Sequence, residues 1–200
     1  MRSTGAIVLV VLLLVLGFAG CAGCGTYNDL VAQEEQVERA WADVETQYQR
    51  RSDLVPNLVN TVRGAANFEQ QTLQAVVDAR ARATSITVSA DDLDDPERIR
   101  QFQEAQSELS RSLGRLLAVS ENYPQLQATE AFRDLQVQLE GTENRIAVAR
   151  RDYNQAVSQY NTSIRRFPAN IVAGITGFER RTPFEAEAGA ENAPEVQFNF

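Results

Sequence analysis

The sequence predicts an all-α protein: an antiparallel up-and-down four-helix bundle with long, heptad-patterned helices, preceded by one N-terminal membrane segment. Over four long stretches, apolar residues recur in alternating steps of three and four, a spacing typical of packed helices and not of strands. Only 11 glycines and 6 prolines occur in 200 residues, as expected of long helices, because both residue types disfavour a helix interior. A single uncharged apolar run, within residues 3–28, precedes the four stretches.

The composition excludes several classes of function. All 19 basic residues are arginine, and the chain contains no histidine and no lysine. It therefore lacks an imidazole base or metal ligand and a Schiff-base lysine. The formal charge of −8 argues against a nucleic-acid partner, whose phosphates require a basic face. We predict a protein that is not an enzyme and that holds no cofactor and no metal.

The N-terminal segment, residues 1–25, is predicted to attach the protein to a membrane. Arg2 precedes a run at residues 6–19 that is almost entirely Ile, Val, Leu, Ala and Phe. Residues 5–25 just reach the ~20 residues that a spanning helix needs, so an uncleaved signal anchor is one interpretation. Residues 6–16 also fit the shorter apolar region of a cleaved signal peptide.

The second interpretation is supported by residues 18–21, Phe-Ala-Gly-Cys, which resemble the lipobox of bacterial lipoproteins. The resemblance makes Cys21 the candidate lipid attachment site. Both interpretations stay open, and both predict a location at the cell membrane with a single N-terminal anchor. Because Arg2 precedes the segment while Asp29 and Glu34 follow it, the positive-inside bias predicts that the domain lies on the outer, extracytoplasmic side.

The two cysteines, Cys21 and Cys24, form a C-x-x-C pair. The sequence contains no second pair and no histidine to complete a metal shell. We therefore expect neither a redox site nor a zinc site here.

The predicted helical domain covers residues 26–178, and its first stretch runs over residues 28–65. The apolar seam of this stretch is interrupted by Arg51 and continues past Pro56, a residue that kinks or restarts a helix. Since the heptad phase survives, we favour a kink over a chain reversal; the alternative is a fresh helix capped by Ser52 or Asp53. The seam comprises Val37, Trp41, Val44, Tyr48, Val55, Leu58 and Val62.

Three further stretches complete the predicted domain. The second, residues 68–86, carries Leu73, Val76, Val77, Ala79 and Ala83 on one face. The third begins with Asp95 as N-cap and Pro96 in the first turn, and the Asn122-Tyr123-Pro124 string stops it. Its seam comprises Ile99, Phe102, Gln106, Leu109, Leu113, Leu116, Ser120 and Tyr123.

The fourth stretch keeps its heptad from Phe132 to Phe167, where Pro168 ends it. Its seam comprises Phe132, Leu135, Leu139, Thr142, Ile146, Ala149, Tyr153, Ala156 and Tyr160. An apolar piece, residues 169–178, follows. Residues 179–200 are predicted to form an acidic, flexible C-terminal tail.

Several strings resemble the LemA family of bacterial membrane proteins, in order along the chain from residue 27 to residue 198. The most distinctive is RRSDLVPNLV at residues 50–59. Others are YNDLV at 27–31, ENYPQL at 121–126, TENRI at 142–146, RRDYN at 150–154, FPANI at 167–171 and APEVQF at 193–198. The resemblance implies a helical bundle behind one N-terminal membrane segment, and it implies no biochemical activity.

Candidate site residues favour structural roles. Glu69, Glu121, Glu140 and Glu143 could in principle line a di-iron bundle, but no histidine completes such a site. The arginine pairs 50–51, 150–151, 165–166 and 180–181 are expected to be solvated, although Arg165 and Arg166 adjoin an apolar piece and are candidates for contact with anionic headgroups. Glu143, Arg145 and Asp152 are expected to form ion pairs between helices. Asn57, Asn144, Asn154 and Asn161 are expected to set register through side-chain hydrogen bonds rather than to bind ligand.

The predicted function is that of a non-enzymatic, membrane-anchored interaction or scaffold protein of the cell envelope. Its expected partners are membrane lipids, through the N-terminal segment, and an unknown envelope protein or a second copy of the chain. The alternative is a helical bundle that binds a small ligand at the membrane. A pocket lined by convergent polar groups would favour the alternative, and a dry, continuous core would not.

Overall fold

The computed structural model describes the backbone of residues 2–64 and 69–185, with side chains from residue 23 onwards in those ranges. Within them the chain is all-α, as predicted, and contains no strand. The helices are α1 (Arg2–Arg63), α2 (Gln70–Ser85), α3 (Pro96–Ser120), α4 (Pro124–Gln127), α5 (Glu130–Ser163) and α6 (Ala169–Thr176). A 3-10 turn, Ala90–Asp92, lies between α2 and α3.

The first helix runs without interruption through Pro56. The chain reversal and the fresh helix capped at Ser52 or Asp53 are therefore excluded. Proline has no N–H, so the carbonyl of Ser52, four residues earlier, loses its helical donor. Arg80 on α2 replaces that donor, since its Nε lies 2.9 Å from the Ser52 carbonyl oxygen.

The predicted heptad seams form the core. Every seam position predicted for the first and fourth stretches is buried, including Leu139 and Tyr153. In the third stretch all are buried except Tyr123, which is half-buried, and in the second Val77 is exposed. Sequence periodicity alone thus identifies the buried faces of α1, α3 and α5.

The long helices pack mainly in two pairs. α1 lies along α5, and α2 lies along α3. α2 and α6 each pack on α1 as well, so α1 joins the two pairs.

The ends of the helices follow local chemistry. Asp95 caps α3 as predicted, because its carboxylate accepts hydrogen bonds from the backbone N–H groups of Glu97 and Arg98 at 2.8 and 3.4 Å. α3 ends at Ser120, and Pro124 then opens the four-residue helix α4. α5 ends at Ser163, four residues before the predicted end.

The predicted C-terminal tail is wrong over residues 179–185. Phe184 is buried, and Arg181 and Thr182 are half-buried. The reason is that aromatic burial and side-chain hydrogen bonds from the helices hold this extended segment, as shown below. Residues 186–200 of the predicted tail lie outside the described residues.

Among the residues described with side chains, no helix has the length and apolarity to cross a membrane. The predicted membrane segment, residues 1–25, lies outside those residues except for its last three.

Candidate functional site

A polar layer crosses the helical core halfway along α1. Two apolar clusters fill the core, one reaching Tyr48 on α1 and the other beginning at Val55. Between them lie the buried polar side chains of Arg51, Gln106 and Thr142, from α1, α3 and α5 respectively. The core is therefore not continuously apolar.

Arg51 is the centre of this layer and is 1% exposed. Its Nη2 donates to the Gln106 carbonyl oxygen at 3.0 Å and to the Gln106 Oε1 at 2.7 Å. Its Nη1 donates to Glu143 Oε1 at 2.9 Å and to the hydroxyl of Ser110. The guanidinium carbon lies 5.0 Å from the centroid of the Tyr48 ring, within cation–π range.

The layer connects all four long helices. Gln106 also donates from Nε2 to the carbonyl oxygen of Ala83 on α2, at 3.2 Å. Four hydrogen bonds occupy both Nη groups of Arg51, and only its Nε lacks a partner among the described residues. Since these donors point at other helices, the layer fixes helix register and leaves little capacity for a ligand.

A second polar network holds the extended segment 179–185, here called the C-terminal strap. Three side-chain amides each donate to and accept from the strap backbone. Asn161 donates to Arg181 at 2.8 Å and accepts from it at 2.9 Å. Asn154 donates to Phe184 at 3.1 Å and accepts from it at 2.8 Å. Gln103 donates to Glu185 at 2.8 Å and accepts from it at 3.2 Å. These pairs satisfy the strap backbone as a neighbouring strand would.

Aromatic packing anchors the strap to the core. The ring of Phe184 stacks on Trp41 with centroids 5.6 Å apart and meets the edge of Tyr153 at 5.4 Å. The guanidinium of Arg150 lies 4.9 Å from the Phe184 centroid. The Tyr153 hydroxyl donates to the Thr182 carbonyl oxygen at 2.8 Å.

An ion pair at Arg181 holds the N-terminal part of the strap. Arg181 Nη2 lies 2.8 Å from Glu34 Oε1 on α1, and the Arg181 side chain is only 13% exposed. The Tyr160 hydroxyl donates to the same carboxylate oxygen at 3.5 Å. Burial, together with the negative charge of Glu34, raises the pKa of Tyr160 above the ordinary phenol value. Burial likewise raises the pKa of Tyr153.

The sequence that forms these elements matches a known family. The family model for LemA matches residues 40–198, most of the chain. The chain belongs to the LemA family.

Relatives with curated names resemble this LemA-family chain at modest identity. Magnetosome protein MamQ 2 of Paramagnetospirillum magneticum is 29% identical over 181 residues, covering 82% of this chain and 66% of the relative. Magnetosome protein MamQ of Magnetospirillum gryphiswaldense is 27% identical, covering 77% and 62%. Protein LemA of Metamycoplasma hominis is 24% identical, covering 80% and 69%. The chain thus spans slightly less than two thirds of the length of the MamQ relatives.

The predicted carboxylates and cysteines do not converge within the described part of this LemA-family protein. Glu69, Glu121 and Glu140 are exposed, and Glu143 pairs with Arg51. No group of three or more acidic or cysteine side chains there could hold a metal. Cys24 is a free, exposed thiol, and the side chain of Cys21 lies outside the described set.

The members of the arginine pairs differ in exposure. Arg50, Arg151, Arg165, Arg166 and Arg180 are exposed, as expected. The expectation of a solvated charge is wrong for Arg51 and Arg181, because a carboxylate from another part of the fold faces each of them.

The predicted interhelical ion pairs are realised only at Glu143, which binds Arg51 across the core. Arg145 and Asp152 are exposed. Asn154 and Asn161 do form structural hydrogen bonds, but with the strap rather than between helices. Asn57 and Asn144 are exposed.

An open groove of about 700 Å³ lies beside the polar layer, between α1, α2 and α3. Glu45, Gln49 and Asp53 line it, and partial burial raises the pKa of Glu45. Ser52 also lines this groove, and its hydroxyl is buried without a hydrogen-bond partner among the described residues. The groove is the candidate for a small-ligand site that adjoins the polar layer.

Sequence patterns miss Gln103 and the whole strap. One available signal is Phe184, an aromatic residue within an otherwise polar segment. A second is the seven-residue spacing of Asn154 and Asn161, which places both amides on one face of a helix.

Proposed function

We propose that this LemA-family chain is a non-enzymatic, membrane-anchored interaction or scaffold protein of the cell envelope. In this proposal residues 1–25 attach it to the membrane, either as a spanning helix or through a lipid on Cys21. The helices form an antiparallel up-and-down four-helix bundle on the outer side of that membrane. The bundle presents helical faces to an envelope protein or to a second copy of the chain.

The observation that carries this proposal is the continuity of α1. This single helix of 62 residues, Arg2–Arg63, includes the apolar run and then contributes to both apolar clusters. At about 1.5 Å per residue it is roughly 90 Å long. A membrane attachment at its N-terminal third would therefore hold the domain through a stiff helix rather than a flexible linker, which suits a scaffold.

A second apolar stripe supports partner binding through α5. Val137, Gly141, Asn144 and Val148 follow steps of four, three and four, the heptad spacing of a coiled-coil seam. Val137 is 68% exposed and Val148 is 46% exposed. The guanidinium of Arg145 lies beside Gly141, between the two valines, so a partner helix would contact two apolar side chains and one arginine.

The non-enzymatic part of the proposal is supported by the buried arginines, which form ion pairs within the fold. Arg51 faces a carboxylate and three further hydrogen-bond acceptors of the same fold, and Arg181 faces the carboxylate of Glu34. The names of the relatives, magnetosome protein and LemA, name no reaction.

Site-specific photocrosslinking in intact cells tests the partner face. A benzophenone amino acid is placed at Val137 or Val148, and the matched control carries it at Val77, a 37% exposed valine on α2. We expect a discrete adduct of the same protein from both α5 positions and none from Val77. Equal labelling at all three positions, or none at either α5 position, would contradict the proposed face.

The alternative function, a bundle that binds a small ligand, is favoured by the unpartnered Ser52 hydroxyl and by Glu45 in the open groove. The two carboxylates of Glu45 and Asp53 favour a cationic ligand with an apolar part. Such a compound should raise the melting temperature of the full chain, and Ser52→Val or Glu45→Gln should abolish the rise. A rise that survives both substitutions would place the ligand elsewhere.

A further inference from the structure

Helix α6 carries apolar side chains on two opposite sides. Ala173 is buried in the same apolar cluster as Leu30 of α1. On the opposite side Ile171 is 52% exposed and Ile175 is 80% exposed. These two isoleucines are four residues apart and therefore lie one above the other on one helix face. Packing on α1 accounts for the first side and leaves the second uncovered.

Phe167 extends this uncovered surface. It immediately precedes the proline that leads into α6 and is 82% exposed. Phe167, Ile171 and Ile175, here called the α6 face, place three large apolar side chains in nine residues. Exposed large apolar side chains gathered in one short segment mark an interaction site more often than scattered single residues do.

The segment that carries the α6 face is basic, unlike the protein as a whole. No aspartate or glutamate occurs from residue 153 to residue 178, although the chain carries a formal charge of −8. Arg165 and Arg166 adjoin Phe167, and both are exposed. Apolar side chains beside arginines are the composition of segments that lie in the interface of an anionic membrane.

The α6 face lies close to where α1 leaves the apolar run. The ring of Phe178, directly after α6, packs on Tyr27 of α1 with centroids 5.6 Å apart. Tyr27 follows the predicted membrane segment by only two residues, roughly 3 Å along the helix. An anchor in residues 1–25 would therefore bring α6 to the height of the lipid headgroups.

We propose that the α6 face is a second membrane contact that docks on an anionic bilayer surface. This inference rests on the proposed membrane anchor. Phe167, Ile171 and Ile175 enter the boundary between headgroups and acyl chains, and Arg165 and Arg166 bind lipid phosphates. Two contacts, α1 and α6, fix the orientation of the domain relative to the membrane, which a single helix would leave free to rotate.

Depth-dependent fluorescence quenching tests this docking with the full chain. Ile175→Trp is reconstituted in vesicles of phosphatidylcholine and phosphatidylglycerol, with or without lipids brominated on their acyl chains. The matched control is Val137→Trp, an exposed valine near the opposite end of α5. Trp41 is 3% exposed and contributes the same background to both variants.

We expect brominated lipids to quench Ile175→Trp strongly and to leave Val137→Trp unquenched. Replacing both Arg165 and Arg166 by glutamine should lower the equilibrium constant for docking by roughly fivefold for each arginine lost. The same loss should appear in vesicles of phosphatidylcholine alone.

Flotation of the same vesicles separates the two proposals. If the chain floats with the vesicles but Ile175→Trp is quenched no more than Val137→Trp, the anchor stands and the docking of α6 on lipid is overturned. The α6 face would then be a site for a protein. Chain that does not float at all overturns both the anchor and the docking. Quenching that is unchanged by the glutamine substitutions and by the absence of phosphatidylglycerol overturns the role given to the arginines and to anionic lipid.

Discussion

At the scale of single residues, Arg51 shows how a heptad position can hold a charge. Its side chain is 1% exposed, whereas that of its ionic partner Glu143 is 43% exposed. The desolvation penalty of the pair therefore falls mostly on the arginine. Removing a partner from a buried charge costs more than removing the whole pair, because the remaining charge is left in an apolar medium.

The first prediction concerns this asymmetry. Glu143→Leu should lower the free energy of unfolding by about 1.5–3 kcal/mol, because it leaves the Arg51 charge buried without its counter-ion while its other three hydrogen bonds remain. The double variant Arg51→Leu/Glu143→Leu should be more stable than the single variant, since no charge then remains in the core. Urea unfolding of the full chain in detergent, followed by circular dichroism, measures both.

Glu140→Leu is the control, because Glu140 is exposed one turn earlier on α5. It should change the free energy of unfolding by less than about 0.5 kcal/mol, as surface substitutions usually do. If the double variant is less stable than Glu143→Leu, the buried charge of Arg51 is not the cause of the instability of the single variant.

At the scale of elements, two features of this fold replace backbone hydrogen bonds with side chains. Arg80 supplies the donor that Pro56 withholds from the Ser52 carbonyl, which lets α1 continue. Asn161, Asn154 and Gln103 do the same for the strap. In both cases a side chain on one element satisfies the backbone of another, so neither feature is visible in the local sequence.

The second prediction concerns the strap. Asn154→Ala removes both hydrogen bonds to Phe184, and their loss together is worth about 1–3 kcal/mol. The Phe184 and Thr182 amides should then exchange with solvent at least about tenfold faster, because strap opening becomes easier. Hydrogen-exchange NMR or mass spectrometry measures this.

The control is Asn144→Ala, an exposed asparagine on the same helix, which should leave strap exchange unchanged. Equal exchange at Thr182 in both variants would mean that the other contacts of the strap hold it without Asn154.

The helical class and the buried faces of the long helices could be predicted from the heptad spacing of apolar residues. This spacing can be read within each stretch of sequence, and the residues that share it are the ones that become buried. The role of Asp95 as N-cap could likewise be predicted from the adjacent sequence, since Pro96 follows it directly. Arg51 could be seen only as an interruption, since its partners are 55 to 92 residues away in sequence. The strap was missed because an extended segment with one buried aromatic has no period, and its stability comes from distant amides.

At the scale of the whole molecule, the absence of histidine and lysine from the sequence shapes the response to pH. No histidine is present to titrate at about pH 6.5, and no lysine to titrate at about pH 10.4 beside the tyrosines. Tyr153 and Tyr160 have folded pKa values raised above the unfolded value of about 10. The fold therefore favours the neutral phenols, and this contribution is fully present below pH 10 and is lost as the pH rises towards the folded pKa values.

The third prediction is the resulting alkaline instability. Above pH 10 the free energy of unfolding should fall by up to about 1.4 kcal/mol per pH unit for Tyr153 alone, with a further contribution from Tyr160. Urea titrations between pH 8 and pH 11.5 measure the slope. Tyr153→Phe should flatten it, whereas Tyr27→Phe, at a 42% exposed position, should not. A slope unaffected by Tyr153→Phe would assign the alkaline loss to other groups.

The last prediction concerns the anchor, which decides how the whole molecule meets the membrane. If residues 18–21 act as a lipobox, the mature chain begins at a lipid-bearing Cys21 and has lost residues 1–20. Its mass should then fall by those residues and rise by the lipid. Two acyl chains are needed for stable attachment, because a single one gives only marginal binding. Cys21→Ser should in that case leave an unlipidated precursor, while the matched Cys24→Ser variant should process normally.

If residues 1–25 instead form an uncleaved signal anchor, neither serine variant should change the mass beyond the substitution itself or the membrane location. Intact-mass measurement of protein extracted from membranes separates these outcomes. A mass near the full 22.2 kDa with Met1 or Arg2 retained would exclude lipidation at Cys21. Because α1 is continuous, both anchors hold the helical domain through the same helix. Protein recovered entirely in the soluble fraction would contradict both anchors, and with them the second membrane contact inferred for α6.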